Sequence, residues 1–288
     1  MKKFLLLSCV VLICTISVFA QDIKAIEVIG VWEGNKYGQD AVNNDYCPYY
    51  ITLDLREVLG FSNAPKPTYS TTVHGKMTTR LYTLALDGLN SPNTSVTYRY
   101  YRGDMNGKIN VDFKYALPIK QGTSSNIHLQ DNSDYTIVFD LSESVDTVYA
   151  CRGGIVCDDV LHDTSSKGYQ KVTNIVTIFH NDGTMAEYKL FSRPLVYAGD
   201  VVKVGDPIAV CDPSSIGVVS VGVYFLDKNK VKVKDDGRKH SHFKPFYHVS
   251  DSGAIRLEPG NSYTAEITEE MILQDMSKSE QKKYQKNK

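Results

Sequence analysis

Apolar and polar side chains alternate along much of this chain, and few stretches carry the three-to-four-residue spacing of a helix. Tyr50-Ile51-Thr52-Leu53-Asp54-Leu55 sets Ile51, Leu53 and Leu55 on one side, and Thr79-Arg80-Leu81-Tyr82-Thr83-Leu84 repeats the pattern. Successive side chains of a strand point to opposite faces, so such runs predict half-buried strands. Val96-Thr97-Tyr98-Arg99-Tyr100-Tyr101 is a third, closed by a turn signal at Gly103-Asp104. Runs rich in Val, Ile, Tyr and Phe predict strands over 136–141, 147–150, 155–158, 174–179 and 186–191. Gly153-Gly154 and Asn181-Asp182-Gly183 are tight-turn chemistry, and Gly199-Asp200 and Gly205-Asp206 bracket another short strand. Lys228-Asn229-Lys230-Val231-Lys232-Val233-Lys234 alternates strictly and predicts an exposed strand with one apolar face, ahead of a turn at Asp235-Asp236-Gly237. Two more strands are expected within 252–257 and 260–264. The only good helix starts at Thr268, a capping residue followed by Glu269 and Glu270, with Lys282, Lys283 and Lys286 toward its end. The class is all-β: a sandwich of immunoglobulin-like type over 21–115, a second β domain over 116–265 and a helical tail over 266–288.

Composition narrows the setting. The chain has 288 residues, 42% of them apolar, which suits one large or two small domains. Its 32 basic and 33 acidic residues favour neither nucleic acid nor an anionic membrane surface. Lys2-Lys3, the apolar run from Phe4 to Phe19 and the small residue Ala20 predict a signal peptide over 1–20, too short to span a bilayer comfortably. No stable membrane insertion is expected, and the mature chain is expected outside the cytoplasm, periplasmic or extracellular. Cys47, Cys151, Cys157 and Cys211 then remain. An even count in an oxidising compartment permits two disulfides in three possible pairings, and four buried thiols are the alternative. Cys151 and Cys157 flank the Gly153-Gly154 turn, so a hairpin there brings them toward bonding distance.

Four stretches carry a more specific signal. They are Val148-Tyr149-Ala150-Cys151-Arg152-Gly153-Gly154-Ile155-Val156; Val176-Thr177-Ile178-Phe179-His180-Asn181-Asp182-Gly183-Thr184 running into Glu187-Tyr188-Lys189-Leu190; the segment 196–209 with its two Gly-Asp pairs; and Val219-Ser220-Val221-Gly222-Val223-Tyr224-Phe225. In order and spacing they resemble the lysostaphin-type (LytM-like) zinc metallopeptidases, which cut peptide cross-links of bacterial cell wall. Leu117-Pro118-Ile119-Lys120-Gln121-Gly122 resembles the segment that opens the catalytic domain. The resemblance covers roughly 110 residues and implies a twisted antiparallel sheet with a groove over it.

It also implies a site whose chemistry is mostly missing. The family holds Zn²⁺ with two His and one Asp, leaves a position for water, and uses two further His residues on the developing charge. Asp140 matches the Asp ligand. The first His ligand belongs near 130–134, where there is none, and His128 is the nearest substitute. Lys189 stands where the family has a catalytic His, and Ser220 and Gly222 stand where it has His-x-His. His240-Ser241-His242 is a literal His-x-His with His248 close behind, but it follows the motif strand and reads as a surface strand. His180 matches a position that is usually structural, and His74 and His162 have no obvious partners. No Gly-x-Ser-x-Gly elbow, phosphate loop or dinucleotide fingerprint occurs, and the adjacent Asp158 and Asp159 point to opposite faces of a strand.

Leader and resemblance together imply an exported peptidase scaffold without the catalytic machinery and without a cofactor. Its groove, lined by Asp140, Lys189 and Tyr188, would hold a peptidoglycan peptide or an envelope protein. One alternative is an active zinc endopeptidase with displaced ligands drawn from His128, Asp140, His240 and His242. A second is a β-sandwich surface or adhesion protein. Lys189 is expected within about 4 Å of Asp140, or one water away, supplying the cation that zinc would have been.

Overall fold

A computed structural model describes residues 24–62, 66–88, 92–130, 133–141, 146–158, 161–163, 172–212, 217–232 and 238–286. The leader over 1–20 lies outside the described residues. Six strands form the N-terminal unit: β1 (Ile26–Glu33), β2 (Lys36–Asn43), β3 (Tyr49–Leu59), β4 (Thr68–Val73), β5 (Thr78–Ala85) and β6 (Asn93–Arg102). They make two three-stranded antiparallel sheets, ordered β1-β2-β5 and β4-β3-β6. The alternation in β3 and β5 turns Leu53, Tyr82 and Leu84 inward, and Tyr69 packs on Tyr82 with ring centroids 5.6 Å apart.

The rest of the chain supplies β7 (Lys114–Tyr115), β8 (Ser124–Leu129), β9 (Thr136–Asp140), β10 (Asp146–Tyr149), β11 (Gly154–Asp158), β12 (Leu161–Asp163), β13 (Val172–Phe179) and β14 (Thr184–Lys189). It continues with β15 (Arg193–Pro194), β16 (Val201–Val202), β17 (Pro207–Cys211) and β18 (Val218–Leu226). The last elements are α1 (Lys228–Lys232), β19 (His240–Phe243), β20 (Phe246–Val249), β21 (Gly253–Ile255), β22 (Ser262–Thr264), α2 (Glu269–Gln274) and α3 (Lys278–Lys286). A ten-stranded sheet runs β16-β11-β13-β14-β18-β9-β8-β22, with β12 paired to β13 and β19 to β18. The all-β class expected from the pattern is the class observed.

The two faces of the large sheet differ. Val176, Ile178, Ala186, Tyr188, Val219 and Val221 belong to one face and are buried in the main core, with Tyr115 and Tyr247. The residues between them, Thr177, Met185, Glu187, Lys189, Ser220, Gly222 and Tyr224, belong to the opposite face. The N-terminal unit docks onto part of that second face. Ile26, Ala41, Cys47, Tyr49 and Ile51 join Cys157 and Met185 in one buried cluster.

Several expectations are corrected. Residues 228–232 form α1, not a strand, because Asp227 caps them. Its Oδ1 accepts from the Asn229 amide at 2.8 Å, and its carbonyl accepts from the Val231 amide at 3.0 Å. The edge of β18 that such a strand would need is taken by β19. The tail is two helices; Thr268 does cap α2, accepting from the Met271 amide at 3.4 Å, but the chain breaks at Asp275 before α3. Lys114–Tyr115 pairs in parallel with β20, so the stretch ending at 115 already contributes to the second core. Cys151 and Cys157 do not meet across a hairpin. β10 pairs with β17 while β11 joins the large sheet, and the two thiols lie in different buried clusters.

Candidate functional site

Register places the resemblance positions in two adjacent rows across the second face. Lys189 of β14, Ser220 of β18, Val138 of β9 and His128 of β8 are opposite one another in succession. Thr177, Glu187, Gly222 and Thr136 form the neighbouring row. Asp140 sits diagonal to His128, and its Oδ2 lies 3.1 Å from His128 Nε2. These two side chains are 34% and 54% exposed, so the pair opens to solvent.

The expected Lys189–Asp140 contact is absent. Lys189 Nζ instead pairs with Glu187 Oε1 at 2.5 Å, two residues away on the same strand and face. β18 lies between β14 and β9, so two strand spacings and a two-residue offset separate Lys189 from Asp140, roughly 12 Å between Cα atoms. Each group finds a nearer partner. Tyr188, expected in the groove, faces the main core; it is fully buried, and its hydroxyl accepts from the Cys151 amide at 2.8 Å. Neighbouring residues of one strand cannot share a face, so Lys189 in the groove excludes Tyr188 from it. β14 ends at Lys189, and Leu190 after it adopts a left-handed φ of 71°.

His240 and His242 are not brought to Asp140. His242 is opposite Tyr224, and Asp140 is opposite Val218 on the same strand, six residues away, or roughly 20 Å. Both imidazoles pack on Tyr224 with ring centroids 5.3 Å away, and His240 Nε2 donates to the Arg102 carbonyl at 2.8 Å, tying β19 to the N-terminal unit. Burial holds both below the usual histidine range; the Arg102 charge adds to this at His240, and His240 adds to it at His242. His248 pairs with Glu266 at 3.0 Å.

His128 and Asp140 supply two zinc donors, and among the described residues no group of three His, Cys, Asp or Glu could hold a metal ion. A hydrolytic zinc site takes three protein ligands, Gly222 has no donor to add, and the Lys189 ammonium on the same face repels a cation. The residues present do not fit the metal. The position is closely packed: a Cβ built on Gly222 would lie 3.3 Å from the Thr136 hydroxyl, which would have to shift to admit it.

A buried polar centre escaped the reading of the sequence. Arg152, 3% exposed, donates from Nη1 to Asp182 at 2.9 Å and from Nη2 to Asp275 at 3.0 Å, with its guanidinium 3.4 Å from the Phe113 ring centroid. Asp275 follows α2, so this cluster fastens the C-terminal helices to the sheet. Beside it, His180 is fully buried, and its Nδ1 donates to the Gly153 carbonyl at 2.7 Å. Burial, then the Arg152 charge, pushes its pKa down to about 3. The available signal was a charged residue inside the otherwise apolar motif 148–156.

No protein-family model and no curated protein matches the chain. The solved structures similar to it include a metalloprotease and a zinc-containing peptidase. A deep-sea M23 metalloprotease, pseudoalterin, aligns over 54% of this chain and 92% of its own at 16% identity and a TM-score of 0.28. Helicobacter pylori Csd3 aligns over 92% of this chain and 77% of its own at 13% identity and a TM-score of 0.31. A zinc-containing peptidase from Vibrio cholerae aligns over 69% of this chain and 82% of its own at 12% identity and a TM-score of 0.27.

Proposed function

We propose that this chain is an exported, catalytically inactive homologue of the lysostaphin-type peptidases, acting as a binding or scaffolding module of the bacterial envelope. One observation carries the reading. The motif positions Lys189, Ser220 and Gly222 share one sheet face with Asp140, as a peptidase site requires, yet they hold an ammonium, a buried hydroxyl and no side chain. The open part of that face presents an ammonium–carboxylate pair, Lys189 with Glu187, beside an imidazole–carboxylate pair, His128 with Asp140. Such a surface suits a wall peptide, which carries both amines and carboxylates, or an envelope protein.

The test is metal content and wall binding of protein purified without chelator. The expected result is no stoichiometric zinc, no cleavage of cross-linked peptidoglycan, and retention on it that weakens on replacing Asp140 and Glu187 by Ala. About one zinc per chain, lost in His128→Ala or Asp140→Ala, overturns the reading. So does failure to retain either peptidoglycan or an envelope protein.

A further inference from the structure

The buried cluster between the N-terminal unit and the large sheet contains two thiols from opposite sides of the junction. Cys47 precedes β3 in the N-terminal unit and is fully buried; Cys157 lies on β11 of the large sheet and is 4% exposed. Both pack in one cluster with Met185, whose sulfur is 3.8 Å from Cys47 Sγ. Cys47 and Cys157 share this cluster as buried free thiols. Of the three pairings open to four cysteines, the two that leave Cys47 and Cys157 apart are excluded by placement. Cys151 is in the main core with its neighbour Tyr188, in a different cluster from both Cys47 and Cys157. Cys211 is opposite Asp146 on β10, five residues from Cys151, or roughly 17 Å, so those two cannot bond either.

We propose that Cys47 and Cys157 form a disulfide that locks the N-terminal unit onto the ten-stranded sheet, while Cys151 and Cys211 remain thiols. The inference rests on the export part of the proposed function, because a cytoplasmic chain would be kept reduced. The chemistry is exchange with a small disulfide. The Cys47 thiolate attacks one sulfur of the oxidant and releases one oxidant thiol. The Cys157 thiolate then attacks Cys47 Sγ of the mixed disulfide and releases the second. Two protein thiols and one oxidant disulfide thus become one protein disulfide and two small thiols. The thiolate is the attacking species, and in the packed cluster the contact with Cys47, followed by burial, pushes the Cys157 thiol far above its usual range. The bond therefore forms during folding, before the junction closes.

The test is refolding of the full chain in a glutathione redox buffer, followed by alkylation under denaturing conditions and peptide mapping without reductant. The expected map contains one cross-linked peptide pair joining Cys47 to Cys157, with Cys151 and Cys211 alkylated. Reduction is expected to lower Tm by several degrees, about the shift for closing a long loop in a protein of this size. In Cys47→Ser the cross-linked pair is lost and Cys157 becomes alkylated. Four alkylated thiols from 47, 151, 157 and 211 after refolding, or Cys47 joined to another cysteine, overturns the proposal. The redox buffer makes this readout independent of compartment and of groove binding, so its failure is distinct from failure of the proposed function.

Discussion

Replacing Arg152 by Met should be among the most destabilising single changes in this protein. The guanidinium is 3% exposed and serves two carboxylates that are themselves only 11% and 19% exposed. It also reaches Tyr115 and Thr184 and covers the Phe113 ring. Met keeps most of the volume and removes the charge, leaving Asp182 and Asp275 without their cation. Breaking a buried pair from one side costs about 3–5 kcal/mol. Even the lower figure reduces the folded-to-unfolded ratio ~150-fold. Urea unfolding followed by circular dichroism reads this as a lower midpoint at unchanged slope. Arg152→Lys should fall between, since an ammonium restores the charge but not the fork that spans two carboxylates. The triple variant with Asp182→Asn and Asp275→Asn should recover part of the loss, because the orphaned charges are gone. Acid gives a second reading. Burial raises the Asp182 carboxyl, but Arg152 and Thr184 outweigh it and hold it below 3.8. That contribution is present above the unfolded pKa and is lost as pH falls through the lower folded value. In Arg152→Met only the Thr184 hydrogen bonds still oppose burial, so acid unfolding should begin at higher pH. A loss below about 1 kcal/mol in Arg152→Met, the range of an exposed ion pair, would refute the picture of a buried clamp.

His180 makes stability rise with pH across the range below neutrality. Its folded pKa is about 3 against 6.5 for the free side chain, so between those values the unfolded chain binds a proton that the folded chain does not. Lowering pH from 7.5 to 5.0 should therefore cost about 2 kcal/mol, and His180→Gln should flatten that slope in urea titrations at both pH values. An equal slope in the variant would show that other groups carry it. Lys189→Ala should change stability by no more than about 1 kcal/mol, because its partner Glu187 is an adjacent, partly solvated neighbour on the same strand. A loss of several kcal/mol, measured by the same denaturation, would mean that Lys189 serves a buried charge.

The strands over 50–55, 79–84, 136–141 and 174–179 were legible because period-two alternation is a local property of each segment. Local capping chemistry likewise placed the start of α2 at Thr268. Alternation also contained one fact that the motif comparison hid: Tyr188 and Lys189 are consecutive in a strand, so only one of them can face the groove. Tertiary structure alone decided the pairings. Whether Lys189 reaches Asp140 depends on β18 lying between their strands, and strand order is set by contacts distant in sequence. The Asp227 cap and the β18 edge taken by β19 turned 228–232 into a helix despite its alternation. Arg152 acquires its carboxylates from 30 and 123 residues away. Cys47 and Cys157 likewise enter one buried cluster only because the N-terminal unit docks on one face of the large sheet. A one-dimensional pattern records which face a residue takes; which residues from other strands and from the other unit it meets there is settled only when the whole chain buries its apolar surface at once.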